Sequence, residues 1–173
     1  FMVPPGLAFA SVSQKAWEAS KTAQLPRFYL DFGRHKSYFE NGQTPWTPAV
    51  SVMFGLDKAL EMMLAEGVGA IHERHVSVGQ HVRQGIESLG LNLFPKDPER
   101  ASNTVTAIHS PEGLDTKALL TELRTMHDVV LAAGQGYLAG TMFRIGHLGY
   151  VTESDIEDVL NSLKLTLPKF GFV

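Results

Sequence analysis

The apolar residues in the middle of the chain recur at helical spacing and predict two long consecutive helices. Thr47-Pro48 supplies an N-cap followed by proline at the first helical position, and Gly67 closes the helix after about Glu66. A second helix is predicted from about Val68 to Leu89, because Gly90 ends its apolar stripe. The apolar positions of the two helices are Val52, Leu56, Ala59, Leu60, Met63 and Leu64, then Ile71, Val78, Val82, Ile86 and Leu89.

Beyond these helices the pattern alternates between short apolar runs and amphipathic segments. A helix capped by Asp115 or Thr116 is predicted up to His127, and a last helix starts at Thr152, where Thr-Glu-Ser-Asp resembles a capping box. The short apolar runs predict strands at residues 91–94, 105–108, 129–132 and 141–146. Strands that alternate with helices in this way indicate an α/β unit.

The first part of the chain contains too few elements to close a core of its own. Residues 6–13 predict a short buried strand, and Ser13 is expected to cap a helix that ends near Ser20. We therefore predict that residues 1–70 are the end of a larger domain and that residues 71–173 form a compact α/β domain. The chain enters a hydrophobic segment at Phe1 with no polar lead-in, so we expect it to be a piece of a longer polypeptide.

Composition excludes several classes of protein. Hydrophobic residues make up 44% of the 173 residues and the formal net charge is -3, so neither disorder nor binding to nucleic acid is indicated. No apolar run approaches the roughly 20 residues that span a bilayer, and no membrane association is expected. The absence of cysteine excludes disulfides and fits a reducing compartment, so a cytoplasmic location is predicted.

Arg144 is the main candidate for chemistry. It lies in a predicted strand whose alternation places it with Met142 on one face and Phe143 with Ile145 on the other. A guanidinium among apolar residues requires an anionic partner. That partner is either a structural carboxylate or water at a sheet edge, or a substrate carboxylate held by two parallel hydrogen bonds.

Four other motifs have simpler interpretations. Gly134-Gln135-Gly136 precedes a strand and not a helix, so it indicates a tight connection. The loop at Gln43-Thr44 offers amide and hydroxyl donors that could bind phosphate, although cap and loop chemistry is the better explanation of these residues from the sequence alone. The histidines of residues 72–75 lack the spacing of a metal site and are expected to be solvated on the surface of a helix. Lys15 of Ser-Gln-Lys opens a helix as a surface lysine.

Four motifs in order and spacing resemble the class V aminotransferases: MVPPGLAFASVSQKAW, TPWTPAVS, NTVTAI and a glycine loop running into FRIGHLG. The similarity is to alanine–glyoxylate, serine–glyoxylate and serine–pyruvate aminotransferases. It implies the C-terminal part of the type I fold that binds pyridoxal 5'-phosphate, comprising the end of the large domain and the small α/β domain. It further implies a homodimer with shared active sites.

The resemblance also implies roles for individual residues. Arg144 matches the arginine that binds the α-carboxylate of the amino or 2-keto acid. Gln43 and Thr44 match a loop that reaches the cofactor phosphate across the dimer. The cofactor lysine is expected just upstream of Phe1, so no catalytic residue is expected within the chain, and Lys15 is not that lysine despite its local sequence.

The function implied is transfer of an amino group between alanine or serine and a 2-keto acid such as glyoxylate or pyruvate. The chain alone is expected to be inactive. Some similar sequences are labelled as soluble hydrogenase subunits, so a non-catalytic partner or dimerisation module on the same fold is the alternative.

Overall fold

A computed structural model describes residues 1–172; Val173, the last residue of the predicted small domain, lies outside the described residues. The helices and strands follow in chain order: α1 Gln14–Ser20, α2 Phe32–Phe39, α3 Val50–Glu66, α4 Val68–Ser88, β1 Val105–His109, α5 Thr116–His127, β2 Ala132–Ala133, β3 Met142–Gly146 and α6 Glu153–Thr166. The chain divides into two compact units, one formed by Phe1 and residues 3–62, the other by Met2 and the residues from Met63 onward.

The first unit is a set of short helices and loops without a buried centre. Ser13 caps α1 by accepting a hydrogen bond from the amide of Ala16, and Asp31 caps α2 through the amides of Gly33 and Arg34. No residue described in α1, α2 or α3 is fully buried. Formation of α1 and α2 therefore depends on local capping, as predicted at Ser13, more than on apolar packing.

The second unit has three helices packed on one face of a small sheet. Its buried core draws apolar side chains from α4, α5, α6, β1 and β3: Val78, Val82, Ile86, Leu91, Ile108, Leu119, Leu123, Phe143, Ile145, Ile156, Leu160, Leu163 and Leu167. Helix α6 starts with the predicted capping box, in which Thr152 and Asp155 bond each other's backbone amides. The periodicity of α4 thus correctly predicted the residues that this helix contributes to the core, Val78, Val82 and Ile86.

The sheet is antiparallel with strand order β1-β3-β2, so β3 is the central strand. Phe143 and Ile145 point from β3 into the helix-covered core, where they are 0% and 1% exposed. Arg144 belongs to the opposite face, as the alternation predicted. Its register partners are Ala107 on β1 and Ala132 on β2.

Three predicted strands were wrong or partly wrong, since a strand requires a neighbouring backbone to pair with. Residues 6–13 form no strand in the described chain. Residues 91–94 run beside β1 but form only an isolated bridge, between Leu93 and Ile108. Residues 129–131 precede the observed β2, because the Val129 amide donates to the Leu123 carbonyl and completes the end of α5.

The helix after Thr47-Pro48 begins at Val50, slightly later than predicted. Its end was correctly predicted, since Gly67 follows Glu66 with a φ of +87°. No helix described in residues 1–172 is both long and apolar enough to span a membrane.

Candidate functional site

The guanidinium of Arg144 lies on the open face of the sheet with most of its donors unused. Nη2 donates to the carbonyl of Ala133 at 3.0 Å. Nε is buried and has no hydrogen-bond partner in the described chain. No described carboxylate lies within 4.0 Å of the Arg144 guanidinium. Every ion pair in the described chain is formed by another cation. Arginine carries five N–H donors, so this side chain retains the capacity to bind an anion with two parallel hydrogen bonds.

Small side chains on both neighbouring strands leave space around this guanidinium. Ala107 and Ala132 are the residues opposite Arg144 in the register of the sheet. Directly opposed residues have Cβ atoms only about 5 Å apart, so a larger side chain at either position would approach the guanidinium. The two alanines therefore permit a ligand to reach a partly buried charge.

Gly134 fixes the turn that carries the Ala133 carbonyl. Its amide donates to the Met142 carbonyl at 2.9 Å. A Cβ added there would overlap the carbonyl oxygen of Leu138 and approach Cγ of Met142 to 2.8 Å. The glycine is therefore required by close packing of the turn, and the predicted tight connection is confirmed.

We expect Gly134→Ala to lower the free energy of unfolding by about 1–3 kcal/mol, the usual cost of forcing extra volume into a packed site. Urea denaturation followed by circular dichroism measures the change. Gly69→Ala is the control, because nothing lies within 4 Å of a Cβ at that helical position. It should be neutral or stabilise by about 0.5–1 kcal/mol; equal effects of the two substitutions would contradict the assigned packing.

His147 is the buried polar residue next to β3. It is 1% exposed, and its Nε2 lies 2.9 Å from Oγ1 of Thr106 on β1. Burial lowers the pKa of His147 below its ordinary value, and the nearby charge of Arg83 lowers it further. The imidazole is therefore neutral at neutral pH in the folded chain.

This burial predicts a stability that falls with acidification. An unfolded histidine binds a proton below about pH 6.5, whereas His147 resists protonation until a lower pH in the folded state. Stability is thus fully present above the unfolded pKa and declines as the pH falls, by up to about 1.4 kcal/mol per pH unit. Urea denaturation at pH 7.5 and 5.5 should show a smaller loss for His147→Gln than for the original chain; an identical loss would argue against this assignment.

The second predicted set, Gln43 and Thr44, lies on an exposed loop of the first unit. The Thr44 hydroxyl donates to the carbonyl of Trp46 at 2.7 Å. The Gln43 side chain makes no hydrogen bond in the described residues, while its backbone amide donates to Tyr38. Trp46 stacks on Tyr29 with ring centroids 5.2 Å apart, and this gives the loop an apolar support. A cavity of about 720 Å³ lies beside Thr44 and Trp46.

Gln43 and Thr44 differ in their ability to donate a hydrogen bond to a phosphate group. A phosphate oxygen only accepts hydrogen bonds, and the free amide of Gln43 can donate one. Thr44 must first release the Trp46 carbonyl before its hydroxyl can do the same. Arg144 and Gln43 belong to different units of the chain.

The exposure of the remaining candidate residues, the lysine and the helix histidines, shows which of them lie on the surface. Lys15 is exposed, as predicted for a surface lysine. His72 is exposed, but His75 is partly buried, so the expectation of solvated helix histidines was wrong for His75. Its Nδ1 lies 2.7 Å from the Ile71 carbonyl and its Nε2 accepts the Gly149 amide. No group of three His, Cys, Asp or Glu suited to a metal occurs in the described part of the chain.

Sequence analysis missed Arg74 and His75 as structural contacts of the segment after β3. A signal was available, since both residues fall between Ile71 and Val78 on the apolar stripe of α4. A charged residue on a buried stripe must find a partner. The histidines of residues 72–75 were instead compared with the ligands of a metal site.

Comparison with known proteins identifies relatives along the whole chain. It is 44% identical over 172 residues to a soluble hydrogenase small subunit of a Synechococcus species, covering 99% of this chain and 44% of that protein. It is 34% identical over 171 residues to the serine–glyoxylate aminotransferase of Methylorubrum extorquens, covering 96% of this chain and 42% of that protein. No protein-family model matches the chain.

A solved structure agrees with these relatives. The pyridoxamine–pyruvate aminotransferase of Mesorhizobium loti matches with a TM-score of 0.82 and 33% identity, over 92% of this chain and 42% of that one. By sequence and by fold, the chain is similar to class V aminotransferases over nearly its whole length. The predicted fold, an α/β portion of the aminotransferase fold, is thereby confirmed. The chain spans about 44% of the length of the first of these relatives.

Proposed function

We propose that this chain supplies the substrate-carboxylate site of a pyridoxal-phosphate-dependent aminotransferase. The observation that carries the proposal is the partly buried guanidinium of Arg144, which has an unpartnered Nε and no carboxylate neighbour among the described residues. The proposed reaction moves an amino group between alanine or serine and a 2-keto acid such as glyoxylate or pyruvate. Serine–glyoxylate and pyridoxamine–pyruvate aminotransferases among the relatives support this substrate class.

Arg144 performs two tasks in this proposal. Its planar fork pairs with the two oxygens of the substrate carboxylate, which fixes the orientation of the Cα–H bond. Its attachment to the Ala133 carbonyl holds the guanidinium in place before the substrate arrives. Pyridoxal phosphate, when bound, supplies the electron sink that makes the Cα proton acidic.

Gln43 and Thr44 are proposed to contact the phosphate of the cofactor. The unbonded side-chain amide of Gln43 is the better donor of the two, because the Thr44 hydroxyl already donates to the Trp46 carbonyl. We propose that residues 1–70 and 71–173 correspond to the end of the large domain and to the small domain. The cofactor lysine is proposed to lie in a part of the full-length protein that corresponds to the portion of the relatives not covered by this chain. We further propose a cytoplasmic homodimer with shared active sites.

The test is an assay of the full-length protein that carries this segment. Its purified form should absorb near 400 nm, lose that absorbance with alanine or serine, and recover it with glyoxylate or pyruvate. The 173-residue chain alone should show no turnover. A full-length protein that binds the cofactor but transfers no amino group from any amino acid tested would contradict the proposal.

A second candidate is a non-catalytic partner or dimerisation module. The relatives named soluble hydrogenase subunits, at 44% and 41% identity, favour it. The two candidates differ in one residue, because catalysis requires a lysine at the cofactor position of the full-length protein and a module does not. Absence of that lysine, together with absence of the absorbance, would favour the module.

A further inference from the structure

The segment after β3 is held by a network of side chains from α4. Strand β3 ends at Gly146, and residues 147–151 connect it to α6 without regular structure. Leu148 and Tyr150 are 57% and 64% exposed, so their side chains contribute little packing. The two ends of this segment, called the 147–151 segment below, are held by the buried His147 and by Val151, which packs against the core. The position of residues 148–150 therefore depends mainly on hydrogen bonds to their backbone.

Arg74 provides two of these bonds. Its Nη1 donates to the carbonyl of Gly149 at 2.8 Å and to that of Val151 at 3.0 Å. Its Nε and Nη2 donate to the two carboxylate oxygens of Glu66 at 2.6 and 3.0 Å. Glu66 is the last residue of α3, so one guanidinium joins the end of that helix to the 147–151 segment.

His75 holds the same segment from the next position of α4. A carbonyl only accepts and an amide only donates, so Nδ1 carries the proton toward Ile71 and Nε2 accepts from the Gly149 amide at 3.2 Å. Gly149 thus has its carbonyl bound by Arg74 and its amide bound by His75. Its φ of +87° favours glycine at this point of the chain.

Arg74 and Arg144, both partly buried in the second unit, differ in how their donors are used. Arg74 uses four of its five N–H donors in hydrogen bonds within the protein. Arg144 has one, and its Nε has none. The hydrogen bond from Arg74 lowers the pKa of Glu66, so this carboxylate stays ionised and balances the charge of Arg74.

We propose that Arg74 is a positioning residue for Arg144. By fixing Gly149 and Val151, Arg74 supports the C-terminal end of β3 together with the buried His147, and with it the position of the Arg144 guanidinium on the open face of the sheet. Arg74 touches no substrate in this arrangement. The inference rests on the proposed carboxylate-binding role of Arg144 and adds a residue to that same site.

Arginine is required here because of its geometry. The planar fork serves a carboxylate on one side and two carbonyl oxygens on the other, which a lysine ammonium cannot do with its three donors on one atom. Arg74→Lys should therefore preserve the charge beside Glu66 and release at least one carbonyl of the 147–151 segment. Arg74→Gln should release both carbonyls and leave Glu66 without its cation.

The experiment uses the full-length protein with Arg74→Lys, Arg74→Gln and Glu66→Gln. Backbone hydrogen exchange of residues 147–151 should become about 10- to 100-fold faster in the Arg74 variants, which corresponds to the loss of hydrogen bonds to a charged group. The KM for the amino acid should rise about tenfold while kcat changes less than about threefold, because a displaced Arg144 binds the carboxylate less well. Arg74→Lys should recover part of the loss seen in Arg74→Gln.

Arg83→Gln is the matched control. Arg83 is also on α4 and also donates to backbone, but its bonds go to the carbonyl of Ser102 at 3.0 Å and to Oδ1 of Asn103 at 3.4 Å. Because its charge acts on His147 alone in the 147–151 segment, this variant should leave the exchange of residues 148–151 and the KM unchanged. A rise in KM of equal size in Arg83→Gln would show a general loss of packing and would overturn the inference.

The outcomes separate this inference from the proposed function. Faster exchange with an unchanged KM would overturn the positioning role, while the aminotransferase assignment would stand. An original protein that transfers no amino group would overturn both. Should Arg74→Gln fail to fold, Arg74→Lys and Glu66→Gln decide the matter, and an unchanged KM in both would refute the proposal.

Discussion

Replacing Arg144 by glutamine in the full-length protein is expected to lower kcat/KM for the amino acid by about 10²- to 10³-fold. Loss of one partner of a hydrogen-bonded charge pair costs about 2–5 kcal/mol, and each 1.4 kcal/mol is a factor of ten. Nη2 of Arg144 has its single bond to the Ala133 carbonyl. A neutral glutamine amide can keep that bond but cannot balance the charge of a carboxylate.

The same variant should retain its cofactor, since the proposed phosphate contacts, Gln43 and Thr44, lie in the other unit. Absorbance near 400 nm measures retention of the cofactor, and stopped-flow kinetics of the half-reaction measure the reaction with the amino acid. Arg124→Gln is the matched control, because Arg124 is exposed on α5 and has no ion pair in the described chain. If Arg144→Gln retained full kcat/KM for several amino acids, Arg144 would have no place in the substrate site.

The helices of this chain could be predicted because their signals are local. Ser13, Asp115 and Thr152 cap the helices that they were expected to cap. Gly67 and Gly90 follow the ends of α3 and α4 with positive φ. Each of these signals acts within one helical turn, so it is visible in the sequence without knowledge of the fold.

The strands were harder to predict because pairing depends on residues far apart in the chain. An apolar run such as residues 6–13 satisfies the pattern of a strand but has no partner in the described chain. Residues 129–131 have the same pattern as β2, yet the first of them completes the end of α5. Apolar character fixes which residues avoid water; it does not fix which backbone lies beside them.

The candidate site could be predicted from the sequence only in part, for the same reason. Alternation in β3 correctly separated Arg144 from Phe143, because that periodicity is local. The small residues opposite Arg144 depend on the register of three strands, which no sequence pattern states. The bonds from Arg74 to the 147–151 segment join residues more than seventy positions apart. Such contacts follow from the packing of α4 beside the sheet.

Replacing Phe143 by alanine is expected to produce the largest loss of stability in the second unit, about 3–5 kcal/mol. Phe143 is fully buried in the central strand and belongs to the core formed with α4, α5 and α6. Removing its ring deletes apolar burial and leaves a cavity bounded by the sheet on one side, where the backbone cannot collapse freely. Urea denaturation of the 173-residue chain, followed by circular dichroism at 222 nm, measures the change.

Two further variants make this result decisive. Phe39→Ala removes a ring that is 80% exposed, so it should change stability by less than about 0.5 kcal/mol. Phe143→Leu keeps most of the volume and should cost less than about 1.5 kcal/mol, which preserves a measurable transition even if the alanine variant is largely unfolded. Because Phe143 and Arg144 point to opposite faces of β3, the leucine variant should lower stability and leave the KM for the amino acid unchanged in the full-length protein. A leucine variant as stable as the original chain would mean that the sheet does not pack on the helices as described, and the open face that carries Arg144 would then have no fixed support.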